Sequence, residues 1–350
     1  MLMPPKVLYP KYVNYLSCCF GIPLAYPVLI AVQTAVAGML ANFSAYRFDP
    51  GMGQLLAILM AFCVPWFLWI LVVRKVVLLG AVHQSEAPIH DLLSSIKSLA
   101  LDFHRLLGGA VKLVLICLFV GASGYLKEMI SVIQPFAWDH TFMRVDRLLH
   151  FGVDPYRLSL WLFGSPTATT ALNVAYHAWF FVIYFVTFVA CFARTDDKLS
   201  QAFLVGLLLT FAVGGNAIAL VFSSAGPVYY ERLGLGSEFE PLMQHLRAMN
   251  EISPVWALSV QEGLWHGHVG DGELAGISAM PSMHVATSVL MAFYATTYAR
   301  WAAWLMWGFA LAILIGSVHL GWHYAIDGYL GAAIAWACWV TARYLVEERN

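Results

Sequence analysis

Charged residues are scarce in this sequence. Asp, Glu, Lys and Arg make up only 11% of the 350 residues, whereas 61% are hydrophobic. Because soluble domains carry about 25% charged residues, this composition excludes a soluble enzyme with a single anchor and indicates a membrane protein with many spans. The formal net charge of −1 gives no reason to expect a nucleic-acid partner.

Cysteine is also infrequent. The six cysteines all lie in apolar stretches, and their spacing matches neither a metal site nor a disulfide framework. We therefore expect them to act as small core residues. The apolar stretch that follows Lys6 and Lys11 is too long for the core of a signal peptide and is expected to be retained as a span.

Long apolar runs are what the sequence has in abundance. A helix needs about 20 mostly apolar residues to cross a bilayer, so the predicted fold is an all-α integral membrane protein with about eight transmembrane helices. The predicted spans are 16–40, 53–73, 108–126, 168–193, 201–222, 282–299, 301–319 and 325–344. Polar residues inside these spans, such as His177 and Asn216, are expected to face the bundle interior and form interhelical hydrogen bonds.

Two segments of mixed polarity lie between the predicted spans. Apolar residues recur at helical spacing over 89–107, which predicts an amphipathic helix in the membrane interface. The segment 128–164 is expected to form short helices on the membrane surface. Its acidic residues Asp139, Asp146 and Asp154 are interpreted as solvated, with the shaping of a head-group pocket as the alternative.

Lysine and arginine are distributed unevenly between the two predicted faces. With the N-terminus in the cytoplasm, 12 of the 19 lie on the cytoplasmic side and 7 on the other, which is the bias that the positive-inside rule describes. The loop 223–281, His284 and His323 then all reach the non-cytoplasmic face. Polar clusters far apart in sequence can therefore meet at one surface.

His323 and Asp327 are spaced four residues apart at the start of the last predicted span. Residues at this spacing share one face of a helix. Asp327 can accept a hydrogen bond from one ring nitrogen, which leaves the other nitrogen free to act as a nucleophile. A helix-end pair that satisfies only its own hydrogen bonds is the alternative.

His284 lies where the sixth predicted span begins. Pro281 and Ser282 are residues typical of a helix start, and Ser282 is a plausible N-cap. His284 would then occupy the first turn, where free backbone N–H groups form an anion site. A histidine there suits a general acid, and a packed interfacial side chain is the alternative.

These segments resemble the type-2 phosphatidic acid phosphatase superfamily, whose second and third motifs are P-S-G-H and S-R-x5-H-x3-D. Here the second motif reads PSMH, with Met283 in place of glycine. The third motif keeps H-x3-D but has Ser317 at the arginine position. The first motif, Lys-x6-Arg-Pro, is missing, and its nearest equivalent is 223–232. These departures are similar to the inositol phosphorylceramide synthase-like branch of sphingolipid head-group transferases and its bacterial relatives.

The resemblance covers 108–344, which it implies to be a six-helix, phosphatidic-acid-phosphatase-like catalytic core. Residues 1–107 would then form a two-span N-terminal region with the interfacial helix, and 345–350 a C-terminal tail. The resemblance further implies phosphoryl transfer without a metal or other cofactor. His323 would form a phosphohistidine, Asp327 would orient it, and His284 would act as acid and then as base. The candidate phosphate ligands are Arg232, Tyr229, Ser282 and Arg147, with Lys127 as a further basic candidate.

The expected function is that of a membrane lipid phosphatase or phosphotransferase. Its substrate would be a phospholipid, sphingolipid or prenyl phosphate in the bilayer, met at the non-cytoplasmic face. In a bacterium this places the chain in the inner (plasma) membrane with the site facing the periplasm or exterior. Two alternatives are a head-group transferase specifically and a non-catalytic lipid-binding or transport protein. His319, four residues before His323, also permits a metal site completed by His284, His266 or His268.

Overall fold

The computed structural model of the protein describes residues 19–270 and 276–347. Within these ranges the regular structure is helical and contains no strand, which confirms the predicted all-α class. Lys6 and Lys11, which precede the predicted first span, lie outside the described residues, as do the first residues of that span and the last three residues of the predicted tail.

The described helices are numbered here in chain order. They are α1 (Ala25–Phe43), α2 (Gly51–Val82), α3 (Pro88–Leu101), α4 (Phe103–Ile133), α5 (Asp139–Leu149), α6 (Pro155–Phe163), α7 (Pro166–Cys191), α8 (Lys198–Val221), α9 (Glu240–Ile252), α10 (Trp256–Val269), α11 (Met283–Tyr298), α12 (Arg300–His319) and α13 (Ala325–Glu347). Seven of those described are long and apolar enough to cross a membrane, namely α1, α2, α4, α7, α8, α12 and α13. The chain is therefore an integral, multi-pass membrane protein.

The eighth predicted span, 282–299, is present as the shorter helix α11. Its 16 residues rise by about 24 Å, less than the roughly 30 Å of a hydrocarbon core. Ser282, which caps this helix, is fully buried, so α11 begins inside the protein. Where eight spans were expected, the described chain has seven full-length helices and one short helix.

The predicted interfacial helix 89–107 is shorter than expected. It ends as α3 at Leu101, because the carboxylate of Asp102 accepts a hydrogen bond from the backbone N–H of Arg105 at 3.2 Å and caps the next helix. Aspartate is favoured at an N-cap and disfavoured inside a helix. The residues 103–107 therefore belong to α4, and no residue of α3 is buried.

Successive long helices alternate in direction, so one end of the bundle gathers the segments 223–232, 281–284 and 317–327. Two backbone hydrogen bonds join these segments. The N–H of Ser282 donates to the carbonyl of Asp327 at 3.0 Å, and the N–H of Val228 donates to the carbonyl of Gly321 at 2.9 Å. Segments far apart in sequence thus meet at one end of the bundle.

Met283, which stands in place of the family glycine, packs against a wide, π-helical turn of α8. A Cβ atom added at Gly214 would lie 3.3 Å from the sulfur of Met283, and one at Gly215 would lie 3.5 Å from it. Two glycines in α8 therefore provide the space that the methionine side chain occupies.

Asn216 in the same turn joins three helices, as its position inside a span predicted. Its Oδ1 accepts hydrogen bonds from Gln33 Nε2 at 2.6 Å and from the Ser123 hydroxyl at 2.7 Å. Its Nδ2 donates to the Ser123 carbonyl at 3.0 Å. His177 behaves differently, since its Nδ1 bonds to the Asn173 carbonyl of its own helix at 2.8 Å.

Candidate active site

His323 lies in the turn between α12 and α13, and Asp327 lies in the first turn of α13. With its proton on Nδ1, the imidazole donates to Asp327 Oδ2 at 3.3 Å, and the N–H of Tyr324 donates to the same oxygen at 3.0 Å. Asp327 is fully buried and His323 is 7% exposed. Among the described residues no group bonds to Nε2 of His323, so this geometry leaves its lone pair free.

The start of α13 is held by a carboxylate from the surface segment. Asp146 accepts the N–H of Ala325 at 2.9 Å and the N–H of Ile326 at 3.0 Å. These groups are donors that a helix start leaves unpaired, so Asp146 acts as a cap from outside the helix. Asp146 therefore fixes the position of α13 directly beside His323.

Asp139, two turns earlier in α5, fixes the segment that stands in for the first motif. Its carboxylate accepts the N–H of Ala225 at 2.9 Å, the N–H of Gly226 at 2.8 Å and the hydroxyl of Tyr324 at 3.0 Å. It thus connects 223–232 to the residue after His323. Burial raises the pKa of both Asp139 and Asp146 above the ordinary value.

The interpretation of these acidic residues as solvated was wrong. Asp139 and Asp146 are 1% and 4% exposed, and Asp154 is also buried. Asp139 and Asp146 lie seven residues apart, which is about two helical turns. This spacing places both carboxylates on one side of α5 and is the sequence signal that they share an environment. Asp139 and Asp146 each accept two backbone N–H groups, which a search for charge pairs does not detect.

His284 lies in the first turn of α11, as predicted, after the cap in which the hydroxyl of Ser282 accepts the N–H of Val285 at 3.5 Å. Aromatic rings surround its imidazole. The ring of Tyr176 is 4.5 Å away and nearly parallel, and the ring of Trp179 is 4.1 Å away. Phe180 approaches edge-on at 6.0 Å.

His284 and His323 lie at the same end of the bundle. His323 and Lys127 lie close enough to His284 to interact with it electrostatically. Trp322, the residue before His323, is parallel to the Tyr176 ring at 6.3 Å, so Tyr176 is a neighbour of both histidine segments. The structure therefore brings together the two histidines and the aspartate that the sequence singled out.

The two arginines proposed as phosphate ligands are engaged with carboxylates. Arg147 donates from Nε and Nη2 to Asp154 at 2.8 and 3.0 Å. Arg232 bonds to Glu262 and lies over the ring of Trp265 at 5.5 Å. The hydrogen bond from Arg232 lowers the pKa of Glu262 below its ordinary value. A phosphate would have to displace these partners.

The two uncharged candidates are engaged as well. The hydroxyl of Tyr229 donates to the carbonyl of Gln261 at 2.9 Å, and its ring stacks on Trp265 at 5.2 Å. The hydroxyl of Ser282 caps α11 and is fully buried. In this conformation both hydroxyl groups bond within the protein, and each would have to give up its hydrogen bond to contact a phosphate.

Lys127, the further basic candidate, is placed differently. It lies near the end of α4, is exposed, and bonds to no carboxylate among the described residues. A Cβ atom added at Gly276 would lie 3.6 Å from its Cγ and 3.7 Å from its Cδ, so its stem runs against the segment that leads to Pro281. Lys127 thus interacts with His284 electrostatically, and the described part of the chain shows no ion pair between it and a carboxylate.

His319 packs helices together. Its Nδ1 is 3.3 Å from the hydroxyl of Ser159 and its Nε2 is 3.0 Å from that of Thr169, so both ring nitrogens have partners in other helices. It is fully buried. The part of the chain that the structure describes contains no group of three or more His, Cys, Asp or Glu side chains able to hold a metal.

A family model described as the PAP2 superfamily matches residues 140–341, which is more than half of the chain. The chain belongs to this superfamily, which is the type-2 phosphatidic acid phosphatase superfamily that the motifs resemble. Membership makes it a membrane enzyme of the lipid phosphatase or phosphotransferase type. Comparisons with curated proteins and with solved structures give no significant match.

Proposed function

We propose that this protein is a metal-independent lipid phosphatase or phosphotransferase that acts through a phosphohistidine on His323. The observation that carries the proposal is the arrangement of His323. Its Nδ1 is held by a buried carboxylate at 3.3 Å, its Nε2 is free of bonds from the described residues, and a second histidine lies at the same end of the bundle.

In the first half of the reaction, the Nε2 lone pair of His323 attacks the phosphorus of a lipid phosphate ester. The N–P bond forms as the bond between phosphorus and the leaving oxygen breaks, and protonated His284 gives its proton to that oxygen. Asp327 stabilises the positive charge that develops on the attacking imidazole, as the aspartate of a serine-protease triad does.

In the second half, His284 takes a proton from a water or an alcohol. The oxygen of that acceptor attacks the phosphorus, the N–P bond breaks, and His323 returns to its starting form. Water as acceptor gives hydrolysis, and an alcohol gives head-group transfer. The similarity of PSMH and of the Ser317 position to the inositol phosphorylceramide synthase-like branch favours transfer as the finer proposal.

The charge on the phosphoryl oxygens requires a cation, because such reactions depend on electrostatic stabilisation. Ser317 cannot supply it, since its side chain is fully buried and donates to the Leu314 carbonyl at 2.8 Å. Lys127 suits this role best, because Arg147 and Arg232 already bond to carboxylates. The phosphate would also favour the protonated form of His284.

The proposal also includes the side of the membrane. The lysine and arginine distribution supports a site at the non-cytoplasmic face, where a lipid can remain in its leaflet while its phosphate reaches the histidines. In a bacterium this is the outer face of the inner membrane.

The test is turnover of lipids with a labelled phosphate by purified protein in detergent, with and without alcohol acceptors. We expect phosphate release or head-group exchange, and an acid-labile, base-stable phosphoprotein after rapid quenching. His323→Ala should lose both signals, whereas the matched control His140→Ala, an exposed histidine of α5, should keep them.

Inhibitors separate the alternatives. A phosphohistidine mechanism predicts inhibition by vanadate and indifference to a chelator. Loss of activity with chelator alone would instead support the metal alternative. Wild-type protein that binds lipid without turnover of any tested phosphate ester would contradict the proposal and support a binding or transport role.

A further inference from the structure

The imidazole rings of His284 and His323 are oriented by different kinds of contact. His323 is oriented by a hydrogen bond to a buried carboxylate. No hydrogen bond to the imidazole of His284 is present among the described residues, although the ring is partly buried. Its closest ring neighbours are Tyr176 at 4.5 Å and Trp179 at 4.1 Å, both from α7.

Both aromatic rings are themselves fixed. The indole N–H of Trp179 donates to the hydroxyl of Thr287 at 3.0 Å, and that hydroxyl donates to the carbonyl of Met283 at 2.7 Å. Trp179 is therefore tied to the same first turn of α11 that carries His284. Tyr176 is buried and lies parallel to Trp322 at an interplanar angle of 7°.

We infer that Tyr176 and Trp179 form an aromatic clamp that positions His284 as the acid and base of the proposed reaction. Rings against the imidazole face limit its rotation, and among the described residues no hydrogen bond occupies either of its nitrogens. Aromatic faces also attract a cation, which offsets part of the cost of burying the protonated ring that must donate. The inference rests on the proposed function and adds to it two positioning residues.

The clamp makes a prediction that general packing does not. General acid catalysis matters when the leaving oxygen is a strongly basic alkoxide, and matters little when a weakly basic nitrophenolate leaves without a proton. Loss of a positioning residue for the acid should therefore slow an alkyl phosphate ester much more than the matching nitrophenyl ester. Collapse of the site should slow both esters equally.

The experiment compares Tyr176→Leu and Trp179→Leu with Tyr176→Phe and Trp179→Phe on both esters. We expect each leucine variant to lose about 10- to 100-fold in kcat on the alkyl ester, with KM nearly unchanged and less than about 3-fold loss on the nitrophenyl ester. The phenylalanine variants should recover most of the rate. Tyr184→Leu is the control, because Tyr184 lies two turns farther along α7 and contacts Phe180 instead of His284.

Equal losses on the two esters, or phenylalanine variants as slow as the leucine variants, would overturn the clamp. A second measurement does not depend on turnover. In histidine-labelled protein, ring currents from Tyr176 and Trp179 should shift the ring protons of His284, identified by their loss in His284→Asn. The shift should persist in Tyr176→Phe and shrink in Tyr176→Leu.

The two measurements keep the two proposals apart. Unshifted His284 ring protons in the wild-type protein would overturn the clamp, whatever the activity. Shifted ring protons in a protein that turns over neither ester would leave the stacking intact and overturn the proposed function, and with it the catalytic purpose of the clamp.

Discussion

At the scale of single residues, the basic side chains near the site differ in what their charges already bind. Arg147 and Arg232 each bond to a carboxylate, whereas Lys127 bonds to none among the described residues. Each carboxylate offsets the charge of the arginine that it binds, both in the largely exposed pair of Arg232 and Glu262 and in the pair of Arg147 with the buried Asp154. Lys127 is therefore the cation that we propose as the phosphate ligand.

This difference predicts the outcome of removing each charge. Lys127→Ala should lower kcat/KM for a lipid phosphate about 10- to 100-fold, and Lys127→Arg should retain much of it, because a phosphate needs a cation at that place. Arg232→Ala, the matched control, should change kcat/KM less than about 3-fold. Initial rates over a range of lipid concentrations measure both. A larger loss from Arg232→Ala than from Lys127→Ala would return the role to the arginine.

Asp139 predicts a pH dependence of stability. Burial raises its pKa above the ordinary value, so the folded chain holds this proton more tightly than the unfolded chain. The stability that this group contributes is therefore complete below the unfolded pKa of about 4 and is lost as the pH rises through the folded pKa. In detergent, the Tm of the wild type should fall relative to that of Asp139→Asn as the pH rises from about 4 to about 7. Parallel Tm curves would contradict this assignment.

At the scale of helices, the features that could be predicted are those that depend on residues close together in the sequence. The apolar runs and the H-x3-D spacing are local, so the helical class and the His323–Asp327 pair followed from the sequence. Asp139 and Tyr324 are 185 residues apart in sequence, and no local sequence pattern predicts their hydrogen bond. The end of α3 at Leu101 was missed because the capping role of Asp102 outweighs an apolar periodicity that continues past it.

The contact between α11 and α13 sets the distance between the two histidine segments. A Cβ atom added at Gly331 in α13 would lie 2.6 Å from the carbonyl oxygen of Ser282 and 3.4 Å from the N–H nitrogen of Ala286. Both neighbours are backbone atoms, which cannot turn away as a flexible side chain can. Glycine at this position therefore allows α11 to lie close enough for Ser282 to bond to Asp327.

Gly331→Ala should push the start of α11 away from α13 and carry His284 with it. We expect destabilisation by about 1–3 kcal/mol and a clear loss of kcat. Gly308→Ala in α12 is the matched control, since a Cβ atom there meets nothing within 4 Å, and it should be neutral or slightly stabilising. Thermal unfolding and turnover of both variants test this, and equal behaviour of the two would contradict it.

At the scale of the whole molecule, the helices divide the loops into two ends. The candidate site lies at the end where α4, α8 and α12 finish and α7, α11 and α13 begin. The loop between α2 and α3 lies at the opposite end, three crossings away from the loop that follows Tyr230. The short helix α11 is compatible with this arrangement because its first turn is buried among the longer helices.

The side of the membrane that the site faces can be tested by labelling single cysteines in intact cells. Ser237→Cys, at an exposed position near the site, should react with a membrane-impermeant maleimide. Glu86→Cys, exposed at the other end, should react only after permeabilisation. The parent protein measures the background from the native cysteines, and turnover of both variants shows that they fold.

Since an odd number of crossings separates the two positions, labelling of both from outside would contradict the topology. The reverse pattern would place the phosphate chemistry in the cytoplasm, because the positive-inside bias would then have misassigned the orientation.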